Sequence, residues 1–139
     1  MSDETLTMDS VIDEEVIEAC QKARACAVAL TWVKAKPRTY RQLRDHSLNW
    51  CWWLARNCPS PKVLVLLAKD QAAYVRWGVA RNAGTPVATL ELLAKDQDVD
   101  VRSGVAQNAG TPVATLELLS KDSDAGVRWE AKARIGGVK

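Results

Sequence analysis

Residues 75–98 read VRWGVARNAGTPVATLELLAKDQD, and residues 101–124 read VRSGVAQNAGTPVATLELLSKDSD. The two stretches lie 26 positions apart and share 20 of their 24 letters. A unit this short has an apolar face that it cannot cover by itself, so tandem copies fold by covering one another. The pattern also extends outward. Trp50 to Pro61 and Leu64 to Gln71 follow the same template, one residue short between Pro61 and Ala68, and Val127 to Arg134 opens a further copy. Three units and part of a fourth therefore fill residues 50 to 135.

Each unit reads as two short helices. In the first, Val75, Val79 and Ala80 recur at the spacing of one buried face, as do Val101, Val105 and Ala106 in the next copy. Gly84 and Gly110 stand where a left-handed residue would end that helix. In the second helix, Thr85, Thr111 or Ser60 suits an N-cap, and the following Pro86, Pro112 or Pro61 suits N1, where a missing N–H costs nothing. Val87, Leu90, Leu93 and Ala94 are expected to point inward, with Glu91 and Lys95 paired outside, as Glu117 and Lys121 would be.

The frame formed by Val75, Arg76, Val79, Ala80, Asn82, Thr85, Pro86, Leu90, Leu93, Ala94 and Asp96 resembles the leucine-rich repeat variant family. The following copy keeps all of it except Ser120 in place of the alanine. The preceding copy keeps Ala55, Asn57, Ser60, Pro61, Leu64, Leu67, Ala68 and Asp70, but places Trp50 and Cys51 at the Val-Arg positions. The resemblance covers about two-thirds of the chain. It implies an all-α fold: a short right-handed α-solenoid of two-helix repeats, with alternating short α and 3₁₀ helices. Residues 49–139 would hold about 3.5 such units, and residues 1–48 an acidic N-terminus with a helical cap or degenerate repeat. A fold of this kind hosts many binding roles and fixes no single activity.

The 139 residues are 47% apolar and 26% charged, ordinary values for a globular domain. No run approaches the roughly 18 apolar residues of a membrane span. No basic region leads into an apolar stretch at the N-terminus, so a cytoplasmic protein with reduced thiols is expected. The net charge of +2 conceals an asymmetry: residues 1–18 carry seven acids and no Lys or Arg. Ser10, Asp13 and Glu14 suit the start of a helix running from about Val11 to Val33 and burying Ile12, Val16, Ala19, Val28 and Leu30. Pro37 ends it, and Tyr40 to Leu48 reads as one more short helix. At the other end, Lys132, Arg134 and Lys139 suit a terminus that faces water.

Catalytic signals are thin. His46 is the only histidine, and no phosphate-binding glycine loop, H-E-x-x-H or C-x-x-C occurs. No enzyme activity is expected; His46, between Asp45 and Ser47, suits an exposed or capping role. Cys20, Cys26, Cys51 and Cys58 all fall in the first 58 residues. Cys58 stands where Ala83 and Ala109 stand, which suits a small buried residue. Four thiolates could also hold zinc or an iron–sulfur cluster. The family resemblance implies the latter as an alternative, since some of its members carry a cluster in a cysteine-rich N-terminal region.

Tryptophan marks a candidate surface. Trp52, Trp77 and Trp129 share one place in the repeat, interrupted by Ser103, and nearby Arg81 differs from its copy Gln107. Variation at outward positions of otherwise copied units suits a binding face, and Trp and Arg are enriched at interface hot spots. The same indoles also suit packing between adjacent turns, while Trp50 and Trp53 suit core or N-cap packing. Arg76, Arg102 and Arg128 follow Asp70, Asp96 and Asp122 by six residues, which suits a ladder of Asp–Arg pairs. The expected function is a non-catalytic helical-repeat module, adaptor-like or immunity-like, binding another protein through Trp52, Trp77, Arg81 and Trp129. The alternatives are a cluster-carrying redox protein using Cys20, Cys26, Cys51 and Cys58, and nucleic-acid binding through Lys34, Lys36, Arg38, Arg41 and Arg44. Near-neutral total charge weighs against the last.

Overall fold

The computed structural model describes residues 6–25 and 27–137, the side chain of residue 137 apart. They form ten helices and no strand: α1 (Glu14–Lys22), α2 (Ala27–Ala35), α3 (Tyr40–His46), α4 (Leu48–Asn57), α5 (Pro61–Leu67), α6 (Ala73–Ala80), α7 (Val87–Leu93), α8 (Val99–Gln107), α9 (Val113–Leu119) and α10 (Ala125–Gly137). All ten are α-helices, so the expected 3₁₀ elements do not appear among the described residues. No helix of the described residues is long and apolar enough to cross a membrane. Helix α4 packs on α6, α6 on α8 and α8 on α10, while the seven-residue helices α5, α7 and α9 alternate with them in the chain.

The apolar spacing delivers the core it promises. Val75, Val79, Ala80, Val101, Val105 and Ala106 are fully buried, and Leu64, Leu67, Leu90, Leu93, Leu116 and Leu119 line the other side of the same core. Burying one such side chain contributes about 1.5–3 kcal/mol. Val87 is not among them. It is half exposed, as is Val113, and Thr89 and Thr115 are buried in their place. The reason lies in the start of the helix. The Pro86 carbonyl accepts from Thr89 and Leu90, which makes Pro86 rather than Thr85 the N-cap and turns Val87 outward.

Thr85 therefore does not cap α7. Its buried hydroxyl donates to the Val79 carbonyl at 2.6 Å, and Thr111 treats Val105 identically. Each threonine thus adds a second hydrogen bond to a carbonyl that already accepts the N–H of Asn82 or Asn108, which fastens the loop to the end of the preceding helix. Ser60 does sit at an N-cap, without a side-chain bond. Neither Gly84 nor Gly110 has a positive φ. The turn is closed instead by asparagine: Gly84 N donates to Asn82 Oδ1 and Gly110 N to Asn108 Oδ1, both at 2.8 Å. The other end of each amide crosses to the previous turn. Asn82 Nδ2 donates to the Ala55 and Cys58 carbonyls, and Asn108 Nδ2 to those of Ala80 and Asn82. Arg134, 26 positions after Asn108, takes over this task with Nη1 bonds to the Ala106 and Asn108 carbonyls. It closes a ladder rather than merely facing water.

The arginines cross the turns in the opposite direction from the one expected. Arg76 pairs not with the Asp70 carboxylate but with Asp96, twenty residues on, through Nε and Nη2 at 2.8 and 3.1 Å. Its Nη1 donates to the backbone carbonyls of Asp70 and Gln71. Arg102 repeats the arrangement with Asp122 and with the Asp96 and Gln97 carbonyls. These pairs are largely buried: Arg76 and Asp96 are 11% and 10% exposed at the side chain. Where Cys51 replaces the arginine, Arg44 reaches in from α3 and grips Asp70 with Nε at 3.2 and 2.9 Å from its two oxygens. Arg128 keeps the carbonyl half of the joint, donating to Asp122 and Ser123. Lys95 and Lys121 lie past the ends of their helices, and their expected glutamate pairs are absent among the described ion pairs.

The N-terminal portion departs most from expectation. The single helix over Val11 to Val33 is two, separated at Arg24, whose φ of 63° is left-handed. Asp13, not Ser10, caps α1 by accepting from Val16 N at 3.0 Å. Ile12, Val16 and Ile17 are buried, Ala19 and Leu30 are half-buried, and Val28 is exposed. Pro37 does precede a break, after which Thr39 and Gln42 form a reciprocal capping box on α3. Val11 pairs with Thr39 in an isolated antiparallel bridge, which ties the leading segment to α3. Cys26, Lys139 and the acids Asp3 and Glu4 lie outside the described residues.

Removing Arg102 leaves a largely buried carboxylate unpaired and two carbonyls without their donor. Arg102→Ala is expected to cost about 2–4 kcal/mol in urea unfolding, whereas Arg41→Ala, which breaks the exposed pair with Asp9, should leave the unfolding midpoint nearly unchanged. Burial raises the Asp122 carboxyl pKa, but hydrogen bonds from Arg102 and the Asp124 N–H, with the nearby guanidinium charges, outweigh it and hold the group below its ordinary value. The stability this contributes is present above the unfolded carboxyl pKa, about 3.9, and fades as pH falls through the lower folded one. Asp122→Asn should remove that acid-side slope in a pH series of melts.

Candidate functional site

Trp52 on α4 and Trp77 on α6 come together as expected. Their rings lie 6.2 Å apart and nearly parallel, at 15°. Tyr74, one turn before Trp77, completes the group: its ring stacks on Trp52 at 5.2 Å and on Trp77 at 6.0 Å. The Arg81 guanidinium stands 5.5 Å from the Trp77 ring centre. Three of the four candidate residues therefore share one place. Trp129 does not join them. It sits two helices farther along, is 68% exposed, and has no aromatic neighbour among the described residues.

Glycine makes the stack possible. A Cβ on Gly78 would lie 3.1 Å from both the Ala55 Cβ and the Trp52 ring, and one on Gly104 would lie 3.0 Å from the Ala80 Cβ and 3.2 Å from the Trp77 ring. Each indole thus wedges against a bare stretch of the next helix. Where the series is broken by Ser103, the corresponding position of α10 is Glu130 rather than glycine. The two tryptophans are at once part of the joint and part of the surface.

Sequence reasoning missed Tyr74, which is 44% exposed. The signal was available: position 74 is Tyr, Asp100 and Gly126 in successive copies, the same outward variation that marked Trp77 and Arg81. Trp50 packs against the core as expected, and it and Trp53 are half-buried. Both line a groove of about 380 Å³ between α2, α4 and the start of α6, together with Asn49, Trp52 and Tyr74. Behind this groove lies a small apolar cavity of about 40 Å³ walled by residues including Ile17, Leu43 and Leu54. The Trp52 indole N–H is shut off from solvent with no acceptor. His46 is exposed, as expected, but does not stand alone. It stacks on Trp32 at 4.4 Å and tilts against Trp50 at 5.0 Å, while Arg38 lies 3.9 Å over the Trp32 ring.

The basic segment is mostly committed. Arg38 covers Trp32 and donates to its carbonyl, Arg41 pairs with Asp9 and Arg44 with Asp70, which leaves Lys34 and Lys36 as exposed cations. Of the cysteines, Cys51 is buried beside Arg44 and Asp70, while Cys20 and Cys58 influence each other and Tyr40 elsewhere in the core. Cys26 is outside the described residues. Burial, reinforced by the Asp70 charge, pushes the Cys51 thiol up to about 12; burial, reinforced by Cys58, pushes Cys20 to about 12 as well. Burial also raises Cys58, partly offset by a backbone hydrogen bond at Ser60. No group of three or more His, Cys, Asp or Glu able to hold a metal occurs among the described residues.

No family model, curated protein or solved structure matches the chain. The assignment of a function therefore rests on the residues and their arrangement.

In a Cys26→Ser background, Cys51 and Cys58 should be silent towards a thiol-exchange dye at pH 8 in the folded protein and react fully on unfolding. Fast colour development from both thiols in native protein would contradict their burial.

Proposed function

We propose that the chain is a right-handed α-solenoid of the leucine-rich repeat variant kind and serves as a non-catalytic, cytoplasmic module that binds another protein. The binding face is formed by Trp52, Tyr74, Trp77 and Arg81, with Trp129 as an outlying contact. One observation carries this reading. The positions that hold the turns together are copied from unit to unit, whereas those on this face differ: Tyr74, Asp100 and Gly126; Trp77, Ser103 and Trp129; Arg81, Gln107 and Ala133. Between the two inner copies the buried positions (Ser120 for Ala94 apart) and those of the asparagine turn are identical, whereas the face differs at each of these three places, and a surface that served only to cover the core would have no reason to vary so. The exposed aromatic area near an arginine is also the composition of an interface hot spot.

Cys51 and Cys58 are buried in the core and Cys20 is half-buried against it, which suits packing of small apolar side chains. The intramolecular commitments of Arg38, Arg41 and Arg44 leave little free charge to track a phosphate backbone. Both points support the protein-binding reading over its alternatives.

The test is affinity isolation from the native cell extract followed by reconstitution of the recovered protein with purified chain. Wild type and Cys51→Ser/Cys58→Ser should retain one partner in fixed stoichiometry, and Tyr74→Ser/Arg81→Gln/Trp129→Ser should lose it by at least tenfold in affinity, about 1.4 kcal/mol. Equal retention by the triple variant would overturn the face. Iron-dependent visible absorption in anaerobically isolated protein would replace the reading with the cluster alternative.

A further inference from the structure

The groove beside the aromatic stack has an unusual chemical bias. Among its described lining residues are three tryptophans and one tyrosine, with Asn49 as the other polar group and no charged side chain. An indole N–H can only donate a hydrogen bond; it offers no acceptor. The walls are thus rich in flat apolar faces and in donors. Trp52 adds to this, since its N–H is buried with no acceptor, an unfavourable arrangement for a polar group.

A ligand that complements these walls is uncharged, presents apolar rings, and brings acceptors without competing donors. A proline-rich segment meets every condition. Proline has a ring to lay on an aromatic face and a carbonyl to accept, and it lacks the backbone N–H. Its preferred polyproline II conformation makes no internal hydrogen bonds, so each carbonyl is available, and little conformational entropy is lost on docking. The periods also agree. Three residues of this conformation advance about 9 Å, and neighbouring packed helices stand about 8–10 Å apart. Prolines at i and i+3 could rest on Trp50 and Trp53 of α4 and on Tyr74 of α6 in turn.

We infer that this groove, with Tyr74 as its rim, takes a proline-rich extended segment of a partner protein. The inference rests on the protein-binding reading above and adds the chemistry of the partner. The ring of Tyr74 closes one side of the seat, and Asn49 supplies an exposed amide to a ligand carbonyl.

The probe is a decaproline peptide, followed by the intrinsic tryptophan fluorescence of the full chain. Decaproline should produce a saturable emission change, while a glycine–serine decamer and oligothymidine should not. Tyr74→Ala should weaken the decaproline response by at least tenfold. Asn49→Asp, which sets a carboxylate in an uncharged groove at an exposed position, should weaken it likewise with an unaltered thermal melt. Leu92→Ser, on the exposed side of α7, should leave it unchanged. No saturable response to decaproline, or an equal response to the glycine–serine peptide, overturns the inference; saturation by oligothymidine instead reassigns the groove to base stacking and also overturns it. If decaproline fails while a partner is still captured through Tyr74, Arg81 and Trp129, the ligand chemistry falls and the face stands. If both fail, both fall.

Discussion

One guanidinium joins three pieces of chain in each of the two inner repeats. Arg76 and Arg102 turn one edge to the carbonyls of the turn that precedes their own helix and the other edge to the carboxylate that follows the next helix. That carboxylate also accepts the N–H two residues on, from Asp98 or Asp124, which shapes the loop into the following helix. The rigid fork of arginine suits this double attachment, and lysine, with a single rotating ammonium, does not. Apolar burial supplies most of the driving force but has no direction. The Arg–Asp joint on one end of the helices and the Asn82–Asn108 amides on the other give the stack its register.

The places where the repeat is imperfect show how firmly this requirement holds. Cys51 removes an arginine, and Arg44 arrives from a different helix to occupy the same carboxylate. Arg134 removes an asparagine and then bonds to the carbonyls that an asparagine would have met. In contrast, Lys132 stands at the position of Ala80 and Ala106, both fully buried between helices, and is exposed. A charged stem there keeps that side of α10 in water. The polar joints are replaced when lost, whereas the apolar contact is simply given up at the edge.

Much of this was legible in the letters. The buried valines and leucines follow from spacing alone, because a helix presents every third or fourth residue to one side whatever lies beyond it. The partner of each arginine was not legible, because Asp70 is close to Arg76 in sequence while Asp96 is close only after the turns have stacked. The threonine before each proline looked like a cap, but a hydroxyl can also donate, and the carbonyl of Val79 or Val105, which has a second lone pair free, claimed it. The turn glycines looked left-handed until the asparagine amide did their work. At the candidate site, Trp52, Trp77 and Arg81 were found and Tyr74 was overlooked, although it lies one helical turn from Trp77. Trp129 shares their repeat position but not their neighbourhood, since Ser103 breaks the row between them.

The aromatic face owes its form to the same close approach that builds the stack. Trp52 can lie flat against α6 only because residue 78 is glycine, and Trp77 against α8 only because residue 104 is. The indoles are consequently held by backbone on one side and by Tyr74 on the other, with few rotamers open to them. A surface fixed in this way loses little side-chain entropy when something docks, and that loss, at about 0.5–1.5 kcal/mol for each mobile side chain, is a main opponent of binding. Trp129 has no such support and would have to be ordered by its partner. Rigid, uncharged aromatic planes favour a ligand that is itself stiff and apolar, and this shared stiffness links the way the helices stack to what the groove between them can hold.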